Sequence, residues 1–337
     1  MVSKQKPHLK YYEGEWRRPI NDLRRQHVGG GHKAIHDDAT AAAAGFSKGA
    51  PIHGTVHWSQ FTPLVCQAFG AKEWFERGTI SVTFRSIVTH LEPVKAFVEI
   101  PASQDQQACC WMEHLDGKLV LEGTVGLNSV QGTSGPTFLE QQLHKIKAVD
   151  GNLVFCNLPV GTKTLTEERA RISFDKVIGP LFPFTLNEKL KIITEWHPWF
   201  DEKLGRQSPW KRPVLAPECW NQIMLYTLPG ANWPKPTVNL LPEGKTPVGL
   251  FGGCQVKLWS PIFTDESYRI TRELIAVGET PKTEFRFTRT QLWSEHTGDL
   301  VAEMILQDMM LKSTVKNYKE LRSQADRGSY PSTLSKL

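Results

Sequence analysis

The chain has 337 residues, 40% of them hydrophobic, with a mean hydropathy of -0.34 and a formal net charge of +5. That length suffices for two ordinary core-forming units of about 140 to 160 residues each, and no apolar run reaches the ~18 residues of a membrane span. The charge is modest and dispersed, and no recognition helix, zinc spacing or RNA-binding aromatic motif accompanies it, so neither a membrane nor a nucleic acid is expected as a partner.

From the N-terminus, Met1 to His8 lacks an apolar core and does not read as a secretory signal. The first informative stretch is Ile35-His36-Asp37-Asp38, then Gly45-Phe46, then Pro51-Ile52-His53-Gly54. A histidine loop here runs straight into an apolar segment, Thr55 to Gly70, whose Val56, Phe61, Leu64, Val65 and Phe69 fall on overlapping helical turns. The spacing predicts a mostly buried helix beginning at Ile52 to Gly54. Unpaired N–H groups at such a start can hold a developing oxyanion, so His53 and Gly54 are candidates for that role. Asp37 and Asp38 suit a local turn cap, and Asp38 could alternatively orient His36. His53 and His57 have an i, i+4 spacing that a metal could use, but no acidic third ligand is suitably spaced, and no metal is expected. Two runs of β-branched and alternating residues follow, Gly78 to Val88 and Val94 to Ile100, and read as strands. Glu113-His114-Leu115-Asp116-Gly117-Lys118-Leu119-Val120 carries hairpin chemistry between an aromatic and an aliphatic strand. Asn128 to Pro136 and Pro229 to Pro247 read as loops, the second long enough for a flap. The six cysteines, Cys66, Cys109, Cys110, Cys156, Cys219 and Cys254, show no CxxC spacing and read as reduced thiols.

The plan then repeats. Glu195-Trp196-His197-Pro198-Trp199-Phe200-Asp201 leads through Pro213-Val214-Leu215-Ala216-Pro217 into a helical segment, Glu218 to Leu228. Gly252 to Ile262 parallels Gly78 to Val88, and Glu295-His296-Thr297-Gly298-Asp299-Leu300-Val301 parallels the first hairpin, with Trp293 where Trp111 stands. Two units are expected, residues 1–150 and 151–337. The chain ends Ser335-Lys336-Leu337, an address that the peroxisomal import receptor reads; peroxisomal localisation is the expectation.

The two loops and their helices resemble the MaoC-like (R)-specific enoyl-CoA hydratase/dehydratase family, in the double hot-dog form. Ile35-His36, Asp38, Phe46 and Pro51-Ile52-His53-Gly54 match its catalytic loop and helix entry, and the second loop is similar to its diverged repeats. The resemblance implies an α+β fold of two tandem hot-dog repeats, each an antiparallel sheet wrapping a long helix. It also implies a lyase that adds or removes water at an acyl thioester, by means of a carboxylate and a histidine. The sequence departs from the family at that pair: its Asp falls on Gly31 and its Asn on Lys33, while in the second loop Glu195 stands at the Asp position and Phe200 at the His position. The acid–base candidates are therefore His36, Asp38 and Glu195, with His32 beside the missing Asp. Substrate-binding candidates are His32, His57, Trp58, Trp196, Trp199, Arg206 and Arg212, the arginines as docking points for anionic groups of coenzyme A. No cofactor is expected beyond coenzyme A as part of the substrate. A pathway-specific isomerase or cyclase of a polyketide-like compound, a thioesterase and a catalytically silent binding protein stay open as alternatives. Because two repeats can pair within one chain, both a monomer and a homodimer are allowed.

Overall fold

The computed structural model describes residues 10–23, 35–103, 106–128, 135–147, 149, 153–179, 182–226, 231–234 and 247–326. His32, Gly31, Lys33, most of the 229–247 loop and Ser335-Lys336-Leu337 lie outside the described residues.

Among the described residues, ten strands make one antiparallel sheet. The first repeat supplies β1 (Tyr11–Glu13), β2 (Gly78–Phe84), β3 (Val94–Glu99), β4 (Ala108–His114) and β5 (Leu119–Leu127). The second supplies β6 (Glu168–Ala170), β9 (Gly249–Leu258), β10 (Tyr268–Glu279), β11 (Thr283–Ser294) and β12 (Leu300–Leu311), while β7 (Val177–Gly179) and β8 (Phe182–Thr185) form a separate two-stranded ribbon. The order is β1-β3-β4-β5-β2-β9-β12-β11-β10-β6, which reads the same from either end once the repeats are matched. β2 and β9 join the halves, pairing from Thr79↔Lys257 to Thr83↔Gly253. Alternation sets the inward face: Val94, Ala96 and Val98 of β3 are buried, and Lys95, Phe97 and Glu99 between them are more exposed.

Short helices accompany the sheet: α1 (Asp38–Ala43), α2 (Thr62–Phe69), α3 (Ala71–Arg77), α4 (Phe138–Leu143), α5 (Leu186–Leu190), α6 (Trp220–Met224) and α7 (Tyr318–Asp326). The helix expected over 55–70 is present but in two parts, a 3-10 stretch at Gly54–Phe61 followed by α2. Pro63 explains the division. It has no N–H to give the Ser59 carbonyl, which accepts from Thr62 N–H instead, and its fixed φ suits the first turn of a new α-helix. Gly70, at φ 89°, then ends α2. In the second repeat the helix is shorter than the expected 218–228 segment: a 3-10 turn at Pro217–Cys219 and then α6. Arg272 Nη1 caps its end by donating to the Met224 carbonyl at 2.6 Å. Both central helices are interior, with Val56, Phe61, Val65, Phe69, Trp220 and Ile223 in one core cluster.

The β2–β5 pairing depends on a missing side chain. A Cβ on Gly123 would stand 1.9 Å from the Ser81 carbonyl oxygen, a backbone atom that cannot swing away. Gly123→Ala is expected to destabilise the fold by at least the ~1–3 kcal/mol typical of overpacking, measured as a lower denaturant midpoint with an unchanged slope.

Candidate active site at the seam of the repeats

The backbone registers match the two helix starts residue by residue. Ile52 N–H donates to Val88 O at 2.8 Å and Leu215 N–H to Ile262 O at 2.7 Å, with bridges Pro51↔Thr89 and Val214↔Phe263 one residue earlier. Gly54 therefore corresponds to Pro217, and Thr55 to Glu218. Proline has no N–H, so only the first start keeps both leading donors, Gly54 and Thr55, which have no carbonyl one turn back to bond. Glycine suits the first of these because the Phe84 ring would lie 2.7 Å from a Cβ there.

Two imidazoles stand at this start with their centroids 5.6 Å apart. His36 Nδ1 is 2.8 Å from the Pro51 carbonyl, which can only accept, so Nδ1 carries the proton and Nε2 the lone pair. His53 Nδ1 is 2.7 Å from Thr55 Oγ1, whose own hydrogen goes to Asn221 Oδ1 at 2.9 Å. With that amide orientation His53 Nδ1 is also a donor, and its Nε2 is free to accept. Phe182 and Phe251 wall His53, at 5.5 and 5.0 Å between centroids. Burial lowers the proton affinity of His36, partly offset by the Pro51 carbonyl and the charges of Asp22 and Asp37. Burial also takes His53 well below the usual histidine range, helped by the charge of Lys189 and, when they are protonated, of His36 and His57. His57 is brought down to about 3, chiefly by burial. All three are thus neutral bases at neutral pH.

A pH dependence of stability follows. These histidines bind protons more readily in the unfolded chain, so stability is complete above ~pH 6.5, the unfolded value, and falls as pH drops below it. For each histidine the slope approaches about 1.4 kcal/mol per pH unit, extending in the case of His57 toward pH 3. Denaturant midpoints at pH 7, 6 and 5 are expected to fall in that order.

Behind the histidines lies a buried ionic cluster. Lys189 Nζ is 2.6 Å from Asp22 Oδ2 and 2.5 Å from Glu218 Oε2, and Ser59 Oγ donates to Glu218 Oε1 at 2.5 Å. The three charged side chains are 1%, 2% and 0% exposed. Burial opposes the charge on Lys189, but the two carboxylates more than reverse this and raise its proton affinity. Burial raises that of Glu218 despite Lys189.

The other sequence candidates are dispersed. Asp38 is exposed on α1 and accepts from Ala50 N–H at 3.3 Å, while Asp37 caps that helix through Thr40 N–H. Glu195 is ion-paired with Arg17, and the carboxylates whose charge reaches His36 are Asp22 and Asp37. His57 and Trp58 are buried in the core. Trp196 is 49% exposed. Trp199 packs against Phe75, His197 and Trp210, and Phe200 and Phe75 meet edge to face, so aromatic rings fill the second loop where a histidine site would be. Arg212 pairs with Glu266 at 2.8 Å and lies over the Phe263 ring, and Arg206 is exposed. Sequence reasoning missed Asp22, Lys189 and Asn221 altogether. The one available signal was that Leu186 and Lys189 share a helical face, three residues apart. A surface groove of about 640 Å³, floored by Phe285 and Phe287, includes none of these histidines.

No family model matches the sequence, and no curated protein does. Solved structures do. A MaoC domain protein dehydratase from Chloroflexus aurantiacus is 12% identical, with 90% of this chain and 95% of that one covered at a TM-score of 0.57. A conserved hypothetical protein from Mycobacterium tuberculosis with a double hotdog fold is 9% identical, over 90% and 96%, at 0.51. A MaoC-like dehydratase is 12% identical, over 89% and 97%, at 0.50. At such identities the likeness defines the fold, and this chain is a double hot-dog protein, as its loops led one to expect.

Proposed function

We propose that this chain is a hydratase/dehydratase-like lyase acting on an acyl thioester, with His36 as its acid–base residue. The observation that carries the reading is the pair of imidazoles with fixed Nδ1 protons beside the only helix start of the two that keeps its leading N–H groups. In dehydration of a 3-hydroxyacyl thioester, His36 Nε2 takes the C2 proton and the electrons pass to the thioester oxygen. Gly54 and Thr55 N–H groups hold that enolate oxygen. The enolate then expels hydroxide from C3, and the His36 imidazolium protonates it to water, leaving the enoyl thioester and a neutral imidazole. Hydration is the reverse. A neutral His36 is in the state that can begin the cycle, and Asp22 and Asp37 favour the imidazolium formed midway. Asn221 Nδ2, buried and without a hydrogen-bond partner among the described residues, adds a donor next to Thr55.

A second reading, an isomerase or cyclase, is favoured by the phenyl rings around His53, which suit a flat conjugated substrate. There the enolate formed by one base would be reprotonated at another carbon. Purified full-length chain incubated in deuterated water with enoyl-CoA and 3-hydroxyacyl-CoA panels separates the two. The lyase reading expects interconversion of the two panels. Deuterium exchange at carbon without hydration would transfer the assignment to the isomerase, and inertness toward every thioester would remove the lyase.

A further inference from the structure

We propose that Lys189, contributed by the second repeat, is the positioning residue of the first-repeat site and divides the labour between its two histidines. Its ammonium holds Asp22 on one side and Glu218 on the other. Its catalytic consequence rests on the acid–base reading above; the cluster itself is defined by contacts.

The connections run to both imidazoles. Asn21, the neighbour of Asp22, donates from Nδ2 to the His36 carbonyl at 2.9 Å, so anchoring Asp22 anchors the His36 loop. Glu218 takes the Ser59 hydroxyl, and Asn221, one turn on, takes that of Thr55, the residue that holds His53 Nδ1. Four separate segments of chain from both repeats are thereby fixed around one nitrogen. Stability alone does not account for such a cluster, because apolar side chains of the same volume usually hold a core as well or better.

Charge sets the two rings apart as well. The groups acting on His36 are Asp22 and Asp37, both negative and both favouring its protonation. Those acting on His53 are Lys189 and, once protonated, His36 and His57, all opposing it. The field of one ammonium on one imidazole and of carboxylates on the other pushes two similar rings apart, which is how a pair acquires distinct roles. His36 is the ring that accepts a proton, and His53 stays neutral beside it.

The test is an NMR titration of the imidazole resonances in the full chain, for the unmutated protein, Asp22→Asn, and the charge-free triple variant Lys189→Met, Asp22→Asn, Glu218→Gln. In Asp22→Asn the His36 midpoint is expected to fall. In the triple variant the His53 midpoint is also expected to rise, so the gap between the rings narrows. On a thioester that the protein turns over, kcat should drop by about 10²-fold, as for displaced catalytic groups, with KM changed far less. Unmoved midpoints in variants that melt cooperatively would overturn the proposal, and Asp22→Asn alone decides it should the triple variant fail to fold. Shifted midpoints in a protein inert to every thioester would uphold Lys189 as the positioning residue while removing the lyase reading.

Discussion

His36→Ala is expected to lower kcat by about 10²–10⁴-fold, the usual contribution of a positioned acid–base group, while leaving a cooperative unfolding transition. The residue is half-buried, and among the described residues its ring has one hydrogen bond, to the Pro51 carbonyl. Losing that bond costs on the order of 1 kcal/mol, too little to unfold the chain, so lost turnover would report chemistry. The pH profile supplies a separate check. Since burial lowers the proton affinity of His36, the acid limb of kcat/KM should lie below the ordinary histidine value of ~6.5, and His36→Ala should abolish it. Glu195→Gln should matter much less, because the Glu195 carboxylate is engaged by Arg17. Full activity in His36→Ala would remove the assignment.

What could be read from the sequence was local. The His36 loop, the Gly54 entry and the Trp111 and Trp293 hairpins are contiguous patterns, each fixed by a few neighbouring residues, and together they imply two wrapped helices. The 3-10 start was hidden because Val56 and Phe61 satisfy either helical period loosely, and Pro63 acts on a carbonyl four residues back. The ionic cluster was illegible for a different reason. Asp22 and Lys189 are 167 residues apart, and Glu218 reads as an ordinary first-turn carboxylate. Nothing in one sequence pairs them. Arg212 is a further case, since its pairing with Glu266, 54 positions on, is equally unmarked in the sequence. The contrast of Gly54 with Pro217 was in plain view, yet it gained meaning only when the backbone registers showed that the two positions correspond.

The largest effect on stability is expected at the same cluster. Lys189→Ala leaves the Asp22 and Glu218 carboxylates buried without their ammonium, and removing one partner of a buried ion pair typically costs about 3–5 kcal/mol. Alanine also leaves a cavity, which adds to the loss. The sign with pH identifies the cause. Burial already raises the proton affinity of Glu218 despite Lys189, and without that ammonium Glu218 holds its proton more tightly still, so the penalty is full at neutral pH and shrinks as Glu218 becomes protonated. The gap in denaturant midpoint between the unmutated protein and Lys189→Ala should therefore narrow from pH 7 to pH 5, even as buried histidines weaken both. Lys189→Met combined with Asp22→Asn and Glu218→Gln removes all the charge at similar volume and should recover most of the lost stability. A pH-independent gap, or a triple variant no more stable than Lys189→Ala, would mean that packing and not charge holds this position.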